Sequence, residues 1–222
     1  MDTTRQNTGP GPADALAHPD SSTRLRAALA AGTRPDPALV TALVHRCRTE
    51  PDFFVRDMLT WALTRHPAAL TVPLLLTELR STHGQARSQA LHTLSKIGDQ
   101  GVWPAIRAAV HDPDDEAARS AWRAAVVLVP PGEESGLARE LVRQLGRGGH
   151  DTQRSLSRAL VALGDSVAPA VEAATASSDP RVRAHAVATE ALRRDPDSGF
   201  ALAEATRVVL TGAAPTVPDE PC

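Results

Sequence analysis

The sequence predicts an all-α chain, an α-solenoid of six helical hairpins closed by one further helix. Three observations carry that expectation. An arginine followed three places later by an apolar or small residue recurs at Arg24, Arg56, Arg87, Arg119, Arg154 and Arg183, at intervals of 32, 31, 32, 35 and 29 residues. A period of that length fits two helices and two turns. Helical periodicity alternates with short breaks of Pro, Gly, Asp and Ser, with no strand-like alternation. Aromatic residues make up only 3% of the 222, so alanine, leucine and valine must fill the interior, which suits thin, closely packed helices.

Residues 1–12 are polar and interrupted by Gly and Pro, and are expected to form a disordered tail. Residues 212–222 read the same way, which leaves 13–211 as the repeat domain. Within it, the second helix of each hairpin carries the recurrent arginine. These helices are predicted to start near Asp20, Asp52, His83, Asp114, Asp151 and Asp179, where a carboxylate can accept orphan N–H groups and meet the positive helix end. Gly32, Gly98 and Gly164 stand where left-handed caps are wanted.

The first helices are predicted over 37–48, 68–80, 101–111, 136–145 and 167–175. Three contain an early proline, Pro73, Pro104 and Pro169, tolerated because the missing N–H has no partner in the first turn. A last helix over 199–210 closes the stack. Val55, Leu59, Ala62 and Leu63 form one apolar stripe, matched by Ala90, Leu94 and Ile97 and by Trp122, Ala125 and Val126. No single hairpin can bury such a stripe, so neighbours must stack.

VRDMLTWAL at Val55, ARSQALHTLSKIG at Ala86 and VRAHAVATEAL at Val182, together with the prolines and the Asp-Pro turns, resemble HEAT repeats. The similarity is to the short bacterial HEAT-like, or PBS-lyase-type, kind, over about residues 15–195. It implies a right-handed, HEAT/armadillo-like solenoid whose second helices line a concave face. The fifth repeat departs, with GRGGHDTQR in place of the acidic turn. The chain is also similar to the Arg- and Ala-rich arrays attached to some actinobacterial MerR-type regulators. It has no room for a winged helix-turn-helix ahead of the array, and so is expected to be a free-standing partner-binding module.

Composition narrows the function classes. The net charge is −2, so no global basic field draws the chain to nucleic acid. Lys96 is the only lysine. Two cysteines make no disulfide framework, no apolar run reaches a membrane span, and no signal peptide is evident; a cytoplasmic location is expected. No Cys/His cluster of metal spacing, P-loop or nucleophile elbow occurs, so neither metal nor cofactor is expected. Cys47, between Arg46 and Arg48, has charges beside it that would depress its pKa, yet no assigned base.

The function expected is therefore non-catalytic: a scaffold or adaptor binding a protein or peptide along the concave face. Asp57, Trp61 and Arg65 fall at i, i+4, i+8, with His92 and Lys96 in register and Arg123 and Arg158 on a neighbouring strip. Trp61 would be the apolar anchor. The arginine ladder itself is expected to be structural: the HEAT resemblance implies that each arginine pairs with the acidic turn of its own or the next repeat, and Asp20, Asp52, Asp115 and Asp179 stand four residues before theirs. The alternative is a HEAT-like DNA-binding protein of the alkylpurine DNA glycosylase type, whose tryptophan and aspartate Trp61 and Asp57 resemble. Sparse aromatics and negative net charge count against it.

Overall fold

A computed structural model describes residues 11–196 and 200–211. The tail expected over 212–222 lies outside them, as does all but the end of the tail expected over 1–12; Pro12 already opens the first helix. Among the described residues the chain is all-helical, with thirteen α-helices, three short 3-10 segments and no strand. They fall into two compact units that meet in sequence at Val102 and Trp103.

The first unit holds three hairpins: α1 (Pro12–Leu16) with α2 (Ser21–Thr33), α3 (Val40–Thr49) with α4 (Phe53–Thr64), and α5 (Ala68–Glu78) with α6 (Gly84–Ile97). Second helices pack in series, α2 on α4 and α4 on α6, and first helices likewise, α1 on α3 and α3 on α5. The second unit repeats the plan with α7 (Trp103–Ala109) and α8 (Asp115–Leu128), α9 (Glu134–Val142) and α10 (His150–Ala162), and α11 (Ala168–Thr175) and α12 (Pro180–Arg194). There α8 packs on α10 and α10 on α12, and α13 (Leu202–Thr211) closes against α12.

Most of the predicted caps hold. Asp20, Asp52, Asp114 and Asp179 each precede a second helix and accept backbone N–H groups from its first turn. The fifth second helix starts instead at His150, with Gly149 before it. Gly98 and Gly164 adopt positive φ, 77° and 67°. Gly32 does not. It lies inside α2, and a Cβ there would stand 2.3 Å from the Trp61 ring and 2.9 Å from Ala62 Cα. Its hydrogen lets α2 and α4 approach, so the residue is needed for contact rather than for a left-handed turn.

The apolar stripes are the core. Val55, Leu59, Ala62, Leu63, Ala90, Leu94, Trp122 and Ala125 are buried, while Ile97 and Val126 sit at the stripe's edge. Trp122 donates its indole N–H to Val110 O at 2.9 Å, which satisfies the one polar atom the ring takes inside.

One buried charge cluster organises the first unit. Glu50, 0% exposed, accepts Nε and Nη2 of Arg24 at 2.7 Å each, Nε of Arg46 at 2.6 Å and the backbone N–H of Asp52 at 2.9 Å. Burial alone would raise its pKa, but these donors overcome that and hold it at about 2. Arg24 is itself only 5% exposed. Glu50→Gln should therefore cost about 3–5 kcal/mol, since it leaves a buried guanidinium uncompensated; chemical denaturation measures it. Gly32→Ala, which in an open helix would gain ~1 kcal/mol, is expected to destabilise by about 1–3 kcal/mol through overpacking. The Trp61→Ala background should recover part of that loss in a double-mutant cycle.

Candidate functional site

The recurrent arginine turns out to be a clamp on the turn before its own helix. Arg24 Nη1 donates to His18 O and Pro19 O at 2.8 and 2.7 Å, and Arg56 Nη1 to Glu50 O and Pro51 O at 2.9 and 2.8 Å. Arg87 Nη1 donates to Ser81 O at 2.8 Å, and Arg183 Nη1 to Ser177 O. Each carbonyl lies five or six residues upstream, where the first helix has ended and its last C=O groups lack helical partners. Pairing with the repeat's own acid four residues earlier is thus corrected, since Asp20, Asp52 and Asp179 are occupied by backbone N–H groups and the arginine reaches past them, while Arg24 does pair with the next repeat's turn through Glu50.

Two arginines of the ladder leave this duty. Six residues before Arg119 stands Pro113, whose carbonyl accepts Arg147 Nη2 at 2.9 Å. Arg147 also pairs with Asp115 at 2.8 Å and lies over the Trp122 ring, 5.9 Å from its centroid. Six residues before Arg154 stands Gly148, whose carbonyl accepts Gln153 Nε2 at 3.1 Å. The stretched fourth interval, 35 residues from Arg119 to Arg154, is the cause. Gly146 and Gly148 take φ of 81° and 67°, and a Cβ on Gly148 would meet Asp115 Oδ2 at 2.7 Å. The GRGG loop therefore folds tightly onto the start of α8 and hands Arg147 to the turn that Arg119 would have held.

The released side chains face a cleft between α8 and α10, of about 330 Å³. Arg119, Arg123, Arg154 and Arg158 line it with Asp151, over Val126, Val127, Ala159 and Ala162. Arg154 reaches Asp151 at 3.2 Å, and Arg123 donates to Arg119 O and Ser120 Oγ at 3.2 and 3.1 Å. Arg119 Nε is buried with no hydrogen-bond partner among the described residues. Partial desolvation, then the charge of Arg119, holds the Arg123 pKa below the usual arginine range, with Glu116 offsetting a little of it. This is a concentration of positive charge on a chain whose net charge is −2.

The residues predicted from sequence divide between the units. Arg123 and Arg158 share the cleft, exposed, on α8 and α10. Asp57 and Lys96 are exposed on α4 and α6, and Arg65 is exposed just beyond α4. Trp61 and His92 are half-buried, the Trp61 ring resting on Gly32 across the α2–α4 seam. Arg119 and Arg154 were missed as site residues because the periodic pattern that reveals them is also the pattern of a structural clamp. The exposed pair Phe53 and Phe54, edge to face at 5.6 Å, was not singled out either.

Four of the six hairpins thus join a first helix to a second through a turn closed by the second helix's own arginine. The chain is built of repeated helical hairpins. No family model matches it, and no curated protein does. Solved structures similar to it include an engineered protein of the Northeast Structural Genomics Consortium, target OR366, at 16% identity, covering 85% of this chain and 98% of that one, TM-score 0.44. A second engineered protein, target OR329, is 20% identical over 79% of this chain and 92% of its own, TM-score 0.43. The complex of CpcE and CpcF of phycocyanin lyase from Nostoc sp. PCC7120 is 18% identical, covering 94% of this chain and 99% of that chain, TM-score 0.36.

No group of three metal-ligating side chains and no helix able to cross a membrane occurs among the described residues. Cys47 is a buried structural residue, and burial pushes its thiol up to about 12 despite Arg46 alongside. Ser157 and His185, their Oγ and Nε2 3.0 Å apart, have the look of a nucleophile and base. His185 Nδ1, however, accepts the Gly146 N–H at 3.0 Å, so the ring proton sits on Nε2, which donates to Gln153 O at 3.0 Å. Nε2 then has no lone pair for the hydroxyl proton, and both residues are 0% exposed. The pair is a packing device of the α10–α12 seam.

Burial holds the His185 pKa down at about 4 from 6.5. Below pH 6.5 the unfolded chain takes up a proton that the folded chain refuses until about pH 4, so stability falls as pH drops through that window. Between pH 7.5 and 5, urea denaturation should show a loss of about 2 kcal/mol from this group. His185→Gln should flatten the dependence.

Proposed function

We propose that this chain is a non-catalytic scaffold or adaptor that holds a protein or peptide partner against the exposed sides of its second helices. The observation carrying the reading is the α8–α10 cleft. There the fold gives two arginines of its turn-clamp series no turn to clamp, and sets them with Arg123 and Arg158 over an apolar floor. Charge left unpaired in a cleft costs stability in the free protein. Retaining four guanidinium groups there makes physical sense when a partner supplies the counter-charge. Stacked hairpins suit this role because they present side chains from successive helices at fixed spacing without chemistry of their own.

In the first unit, Asp57, Arg65 and Lys96 offer polar contacts along α4 and α6, with Trp61 and His92 between them. Trp61 gives an apolar ring edge rather than a free side chain, since its other edge rests on Gly32. The test is comparative capture from the native cell with wild-type and Arg123→Glu/Arg158→Glu baits. The expected result is a partner retained by the wild type and lost by the variant at equal melting temperature. Identical partner sets would overturn the reading. Steeply salt-dependent binding of duplex DNA by the same surface would favour a nucleic-acid role instead.

A further inference from the structure

We infer that the α8–α10 cleft binds a phosphoryl group carried on a peptide segment of the partner, with Arg119, Arg123, Arg154 and Arg158 as its ligands. The inference rests on the scaffold reading above and assigns the chemistry of what is held.

The geometry argues first for an anion. Four arginines face one carboxylate, Asp151, whose Oδ1 meets Arg154 at 3.2 Å and lies 3.6 Å from His150 Nδ1. Arg158 and the Arg119 guanidinium pair with no carboxylate among the described residues, and Arg119 Nε is a buried donor without an acceptor. A buried N–H of this kind is stabilised only when an oxygen arrives. In four other hairpins the equivalent arginine spends a terminal nitrogen, Nη1, on turn carbonyls. Here Arg147 and Gln153 occupy those carbonyls, so the cleft arginines are kept available by a specific substitution of partners.

The number of forks argues next for phosphoryl over carboxylate. A phosphate monoester brings a charge of about −1.5 to −2 and three strong acceptor oxygens. Guanidinium forks match that geometry in bidentate fashion. A single carboxylate has two oxygens and one charge, and would leave cleft donors unused. The apolar floor of Val126, Val127, Ala159 and Ala162 suits the carbon stem and flanking chain of a modified residue.

Its surroundings argue for one phosphoryl rather than a row. The cleft is about 330 Å³, at the small end of ligand sites. Asp114, Asp115 and Glu116 stand at the start of α8, within about a turn of Arg119. A continuous sugar–phosphate backbone would bring further phosphates toward those carboxylates, whereas a peptide carrying a single phosphoryl need not.

The experiment is calorimetric and NMR titration of the full chain with inorganic phosphate and with a short Gly/Ala peptide bearing one phosphoserine. The Ser and Glu versions of that peptide and a single-stranded DNA oligomer are run alongside. Saturable phosphopeptide binding that perturbs the Arg119 Nε–H resonance is expected, weakened roughly tenfold in Arg119→Gln and in Arg158→Gln. Arg139→Gln, on exposed α9 surface, should bind as the wild type does. Removing one of several mutually repelling charges should leave the Arg119→Gln melting temperature equal or higher. A fall would make exposed Arg158→Gln the deciding variant. Absence of saturable binding, or binding that survives the decisive substitution, overturns the inference. Equal affinity for the Glu peptide removes the phosphoryl assignment while sparing the peptide-scaffold reading; tighter, arginine-dependent DNA binding removes both.

Discussion

The interaction on which the architecture depends is the donation of an arginine guanidinium to the carbonyls that end the preceding helix. A helical hairpin this short has a structural difficulty at its turn. The first helix stops with several C=O groups unpaired, and the second must begin within a few residues. An aspartate at the N-cap takes care of the second helix's N–H groups, as Asp20, Asp52 and Asp179 do. The arginine one turn further on reaches back over the cap to the carbonyls, as at His18, Pro19, Glu50 and Pro51. Cap and clamp together close the turn from both sides with no β-structure and no bulky core beneath it.

Because that clamp is modular, its partners can be exchanged without loss of the turn. At Pro113 the carbonyl is still satisfied, but by Arg147 from the next hairpin's loop. The fold is intact while Arg119 is freed. The glycines at 146 and 148 are what make the exchange possible, since the loop needs positive φ and leaves no space for a Cβ near Asp115. A sequence irregularity that weakens the repeat pattern is thus the origin of the one strongly cationic cleft described in the second unit.

The buried polar groups divide into those that hold the stack and those that wait for something. Glu50 belongs to the first kind: every oxygen is engaged, and its neighbours Arg24 and Arg46 are engaged with it. So does the Ser157, His185 and Thr189 cluster, where hydroxyls and ring nitrogens close on each other and on backbone groups. The cleft arginines belong to the second kind. The difference lies in whether the acceptors are present within the chain, which only the three-dimensional arrangement reveals.

The helical repeat was determined by the sequence alone, because it is written in local signals: a period near 32 residues, aspartates at N-caps, prolines in the first turns of two first helices (Pro104 and Pro169, whereas Pro73 lies inside α5) and apolar residues at helical spacing. Those signals act within a hairpin and need no knowledge of distant partners, so the helix boundaries and the stripe through Val55, Leu59 and Leu63 were legible. Arg123 and Arg158 were legible too, as exposed positions on second helices. What only the tertiary structure decided was the use of each charged or small residue. Gly32 looked like a cap and is a contact, Trp61 looked like a free anchor and leans on that glycine, and Arg119 looked like its sister arginines and is not. Each outcome turns on an atom some thirty residues away, and pairing at that distance is set by how helices stack, which no local pattern encodes.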